Sequence, residues 1–194
     1  MQNKAIMTTK TLAYCSLLAA LSVVLARLFG LMPEESSRYS IEAVPIFLAG
    51  MLFGPIAGGM VGFSADFIGC LFSPFGYNPI FCLPPILYGV FGGVFRGFLG
   101  KKTTLMRLVL AFFPPVIGGS ILYQSFTLAY VYYYETFWEG LILKLSTRSI
   151  QFAIVLVADT LILWLLFKAN IFTRLGVWPP KKKEVKQNDD QRSS

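Results

Sequence analysis

Six apolar runs, separated by short polar or glycine- and proline-bearing breaks, dominate this chain. The first, Thr11 to Leu31, is long enough to cross a bilayer, which takes about 20 residues of helix. Ala43 to Phe53 is short for a crossing. Gly54-Pro55 follows it, a pair that stops a helix and turns the chain. Ile56 to Phe72 then completes a helical hairpin whose first arm is short or tilted. The fourth and fifth runs are Ile80 to Leu99 and Leu105 to about Ala129. The sixth is Leu145 to Phe167. Residues 31–42 and 73–79 read as loops. Tyr130 to Leu143, rich in Tyr and Trp, reads as a loop at an aromatic membrane interface.

Composition agrees: 55% of the 194 residues are hydrophobic and 14% are charged. A soluble domain of this size cannot hide that much apolar surface, so lipid is the expected solvent. The fold class is therefore an all-α membrane protein, a bundle of six transmembrane helices. Residues 11–168 form the membrane domain, 1–10 an N-terminal segment and 169–194 a charged tail. A cleaved signal peptide is the alternative for the first run. Its length, and Arg27 in place of a small-residue cleavage site, favour a retained span.

Thirteen of the 17 Lys and Arg fall on the face that six spans give to both termini. Only Arg27, Arg38, Lys144 and Arg148 fall on the other. The positive-inside rule makes the termini cytoplasmic. The net charge of +7 is thus a topology signal; nothing in it reads as a nucleic-acid footprint, because the basic residues do not share a face with aromatics.

Chemistry is sparse. Histidine is absent, and Cys15, Cys70 and Cys82 lie in apolar runs without metal-ligand spacing. HExxH and GxSxG do not occur, and Gly100-Lys101-Lys102-Thr103 lacks the upstream glycine of a phosphate loop. The expectation is no enzyme, no cofactor, no metal and no ATPase within this chain.

Ionisable residues at membrane depth are costly and mark function by default. Arg27, Arg38 and Arg148 fall on the outer half, where a guanidinium fork suits a carboxylate ligand. Interfacial snorkelling is the other reading of Arg27 and Arg148. Asp66 lies mid-way along the third run, suited to an internal salt bridge or to a ligand's amino group. Tyr39, Tyr77, Asn78, Phe81, Tyr88, Gln124, Trp138 and Gln151 add aromatic walls and amides on the same side, the make-up of a small-molecule pocket. Gly50, Gly54, Gly58 and Gly62, with Gly89, Gly93 and Gly97, recur every four residues. Such stripes let helix backbones approach closely, within the bundle or against a partner.

Arg38-Tyr39-Ser40-Ile41, then AVPIFLAGMLFGPIAGG from Ala43 to Gly59, then Gly62 and Asp66, resemble the second and third helices of the substrate-binding S components of energy-coupling factor (ECF) vitamin transporters. Tyr77-Asn78-Pro79-Ile80-Phe81, Tyr88-Gly89 and Leu145 to Lys168 with Arg148 continue the likeness, which is greatest to the folate-specific subgroup. The resemblance implies six helices and an outward pocket capped by the loops after the first and third. It implies folate as ligand, and docking on a membrane scaffold subunit that carries two ATPases. ATP would be used by those partners alone. A small-residue motif on the first helix contacts the scaffold in that family; Ser16 and Ala20 have the spacing. Glu42, Cys82, Pro84-Pro85, Gln124-Ser125, Val157 and Asp159 depart from the family pattern, the last standing where glutamine is usual. An S component for riboflavin or thiamine, and a self-sufficient small transporter, are the rival readings.

Overall fold

The computed structural model describes residues 8–28, 31–34, 37–39, 41–72, 78–101, 103–169 and 172. Helix α1 spans Thr9–Leu28. It leads into a two-stranded antiparallel hairpin, β1 (Leu31–Glu34) and β2 (Ser37–Tyr39), where a loop was expected. Then follow α2 (Ala43–Phe53), α3 (Pro55–Leu71), a 3-10 turn (Pro79–Cys82), α4 (Leu83–Val94) and a short α5 (Arg96–Lys101). The fifth run is one continuous helix in three parts: α6 (Leu105–Pro115), a π-helical segment (Val116–Tyr123) and α7 (Gln124–Tyr132). The last helix, α8, runs from Phe137 to Lys168.

Among the described residues, three helices are long and apolar enough to cross a membrane: Thr9–Arg27, Leu105–Tyr132 and Phe137–Lys168. Three shorter apolar helices, Ala43–Phe53, Pro55–Leu71 and Pro79–Val94, complete the six. The short arm is α2, whose 11 residues rise only ~16 Å. It needs no lipid-facing length because Ala43 to Leu52 are all buried. Gly54 ends it at φ 105°, with its N–H on the Gly50 carbonyl, and Pro55 opens α3 at the first helical position. Both residues suit their places: glycine for the left-handed backbone, proline where no N–H is needed.

The glycine stripes face inward. A Cβ at Gly50 would fall on the Gly89 carbonyl, at Gly58 on the same carbonyl, at Gly62 on the Pro85 carbonyl and at Gly93 on Pro55. These glycines therefore let α2, α3 and α4 touch backbone to backbone. Gly97 has open space instead, so the stripe ends before the C-terminal end of the fourth run. Phe47 and Phe112, both fully buried, stack at 4.0 Å between ring centroids and tie this core to α6.

One further expectation is corrected. Tyr130 to Leu143 is not a loop: α7 continues to Tyr132, and α8 begins at Phe137, eight residues before the expected Leu145. No proline interrupts that stretch, and with 32 residues α8 rises ~48 Å, longer than the ~30 Å hydrocarbon core. The Pro114-Pro115 pair lets the fifth helix continue, but widens it. Proline supplies no N–H and its ring crowds the carbonyl four residues back, and the π turns begin at the next residue, Val116.

Candidate ligand site

The polar residues at membrane depth gather in two neighbouring groups. The first lines a cleft between α1, α2, α3 and α4. Its walls include Ser22, Arg27, Glu42, Asp66, Cys70 and Pro85. Arg27 ends α1 and donates from Nη2 to the Gly69 carbonyl on α3. Ser22, on the same face of α1, donates to the Glu42 carbonyl at 2.8 Å, holding the entry to α2 against α1. Glu42 therefore enters the bundle at the level of Ser22, below Arg27. The cleft holds about 40 Å³, room for a few waters and well under the volume of a vitamin pocket.

The second group lies where α8 meets the π segment and α7, with α4 packed on the other side of the π segment. Gly140, Lys144, Arg148, Gln151, Val155, Asp159, Thr160 and Leu163 form the buried face of α8. Arg148 Nη1 donates to Gln124 Oε1 at 2.9 Å and to the Ser120 carbonyl at 3.4 Å. The Tyr88 and Ser120 hydroxyls pair at 2.9 Å. The widened π turns carry Ser120 between Tyr88 and Arg148. Such segments are frequent at functional sites. Arg148 is 5% exposed and Gln151 2%, so snorkelling does not describe Arg148.

The structure thus unites Tyr88, Gln124, Arg148 and Gln151, and sets Arg27 with Asp66 in the adjoining cleft. Phe81 is half-buried in the 3-10 turn. Asn78 caps that turn, its side chain accepting from Ile80 N at 3.1 Å, which engages the amide oxygen structurally. Arg38 and Tyr39 fall on β2, which packs against α8; their side chains, and the whole of Tyr77, lie outside the described residues. Trp138 does not join the site. With α8 starting at Phe137, it falls away from the buried face, 73% exposed, its ring edge-on to Phe137. On α1, Ser16 and Ala20 are exposed while Cys15, Ala19, Ser22 and Ala26 are buried, so the two proposed docking residues lie on the outer surface of the bundle.

Sequence reasoning marks Asp159 only as an ionisable group deep in the sixth run, and leaves it, Lys144 and Glu42 out of the candidate site. Lys144, 6% exposed, sits one turn outward of Arg148 with its ammonium 5.6 Å from the Tyr133 ring centroid. The spacing 144, 148, 151, 155, 159 was a signal in hand: one helical face carrying polar residues in an apolar run.

Comparison with known proteins places the chain. Residues 6–168 match the family described as ECF-type riboflavin transporter, S component. The folate transporter FolT of Clostridium novyi (strain NT) is 32% identical over 99 residues, a stretch covering 50% of this chain and 56% of that protein. The chain thus spans little more than half the length of that curated relative. A crystal structure of FolT bound with folic acid superposes with a TM-score of 0.65 at 29% identity, covering 79% of this chain and 92% of that one. This chain belongs to the family of S components of ECF-type vitamin transporters.

Proposed function

We propose that this chain is the membrane-embedded folate-binding subunit of an ATP-driven ECF importer, acting by capture and release rather than by chemistry. The observation that carries it is the buried face of α8. It brings two cationic groups, Lys144 and Arg148, into the buried interior of the bundle. Folate carries two glutamate carboxylates, and an arginine fork pairs with such groups bidentately. Likeness to FolT in sequence and in structure supports folate over other vitamins.

In this reading Arg148 and Arg27 serve the carboxylates, with Arg38 at the mouth. Asp66 meets a polar ring edge, Gln124 steadies Arg148 beside the carboxylates, and Tyr88 and Phe81 supply aromatic contact. The 40 Å³ cleft widens on binding, with the β1–β2 hairpin moving off α8. Replacing Arg27 or Asp66 by its amide weakens folic acid at least several-fold; affinity within twofold of wild type for both removes them from the site.

Scaffold and ATPase subunits supply the energy, and both termini face the cytoplasm of a bacterial cell. Ser16 and Ala20 present small side chains to the scaffold. Ala20→Trp therefore abolishes co-purification with the scaffold subunit and keeps folic acid affinity; co-purification undiminished removes this face from the interface.

The function is tested by calorimetric titration of the detergent-purified chain with folic acid, riboflavin and thiamine. Saturable binding of folic acid alone, one per chain, supports the proposal. Riboflavin alone keeps the family and replaces the ligand, an outcome the family's description makes specific. Silence to all three favours a self-sufficient transporter, which moves substrate in liposomes without ATPase subunits.

A further inference from the structure

Asp159 is 1% exposed, and neither of its carboxylate oxygens has a hydrogen-bond partner among the described residues. A carboxylate so placed is expensive, and a buried charge is normally paired. The donors around it are committed elsewhere. The Thr160 hydroxyl donates to the Leu156 carbonyl of its own helix at 2.7 Å. The Tyr88 and Ser120 hydroxyls pair with each other. Arg148, three turns outward, is engaged with Gln124 and Ser120. Glu42 and Tyr88 are within electrostatic range of Asp159, and Glu42 also lines the cleft beneath Arg27. Asp159 thus lies inward of the two cations on the same face of α8, beside a residue that opens to the cleft.

We infer that Asp159 is the specificity-determining residue at the floor of the site, accepting two hydrogen bonds from the adjacent ring N–H and amino group of a 2-amino-4-oxopyrimidine edge. The inference rests on the folate reading and deepens it. Arg148 and Asp159 are separated by 11 residues, ~16 Å along one helix face, so an extended ligand with a carboxylate at one end and a donor-rich ring at the other matches both.

The chemistry is selective. An ionised carboxylate offers acceptors only, and two hydrogen bonds donated by the ligand favour that form. The pterin of folate presents two neighbouring donors and satisfies it. A pyrimidine-dione edge, as in riboflavin, places a carbonyl on each side of its single N–H, so at least one carbonyl oxygen meets a carboxylate oxygen. Leaving a buried group unpaired is what makes such discrimination large. An amide side chain at this position would both donate and accept and would set no such sign. Asp159 therefore separates the folate-type ligand from the riboflavin-type ligand named in the family's description.

The test compares folic acid with its 2-deamino-2-oxo analogue, in which a carbonyl replaces the amino group. Calorimetry on the detergent-purified full chain gives the affinity ratio for wild type, Asp159→Asn and Asp159→Leu. Wild type is expected to prefer folic acid by about a hundredfold, the scale of a charged hydrogen bond lost and a repulsion gained. In Asp159→Asn the ratio falls at least tenfold. In Asp159→Leu it approaches one, while thermal stability is kept or raised because an unpaired buried carboxyl is removed. An unchanged ratio in both variants, with folic acid still bound, overturns the role of Asp159 and leaves the folate reading standing. Wild-type protein that binds riboflavin and ignores folic acid overturns both.

Discussion

The α2–α3–α4 side of the bundle and the α8 side bury different things. On the first, glycines remove side chains so that backbones meet: Gly50, Gly58 and Gly89 leave no room for even a methyl group. On the second, α8 carries Lys144, Arg148, Gln151 and Asp159 into the interior, against a helix widened by π turns. In lipid, apolar contact between helices gains little over contact with acyl chains, so close backbone packing supplies cohesion. Buried polar groups are costly there and are retained where they act. In the proposed reading one side holds the bundle together, and the other carries the groups that bind.

The largest expected effect breaks the packing side. In Gly89→Val, the added Cβ falls on the Gly58 carbonyl, a backbone clash that side-chain rotation cannot relieve. The cost exceeds the ~1–3 kcal/mol typical of overpacking, and size-exclusion chromatography should show loss of monodisperse protein. Survival of a normal peak contradicts the close α3–α4 contact. Tyr88→Phe sharpens the contrast on the polar side. It removes the Tyr88–Ser120 hydroxyl pair, worth about 1 kcal/mol, and should lower folic acid affinity roughly three- to tenfold by calorimetry while the protein stays folded. An affinity matching wild type places the pair outside the site. Trp138→Phe gives the smallest effect. The side chain is 73% exposed, so affinity should stay within twofold; a larger loss returns Trp138 to the site.

How much of this was legible beforehand differs between the same two sides. The packing side was readable because its signal is local. Glycines at four-residue spacing and Gly54-Pro55 at a helix junction each fix geometry within a few residues, and the short second arm followed from them. The polar side depends on contacts between distant segments. That Arg148 meets Gln124 across 24 residues, or that Glu42 sits near Asp159, cannot be read from spacing. Trp138 was misplaced for a related reason. A Tyr- and Trp-rich stretch suits an interfacial loop and an interfacial helix end equally, and helix continuity decided which residues face inward. Asn78 was legible as a polar residue before a proline, and proved to be a cap.

The division between packing and binding is tested most directly at Arg148, the cation joining α8 to the π segment and α7. Replacing it by Gln removes the charge and keeps a donor. Folic acid affinity and thermal midpoint would be measured on the same purified protein. The account predicts a loss of affinity of about thirtyfold or more, the worth of a buried charge-assisted pair, with the midpoint moved by only a few degrees. An unchanged affinity, or a collapse in stability as large as that of Gly89→Val, would make Arg148 a structural tie and contradict the assignment of the α8 face to the ligand.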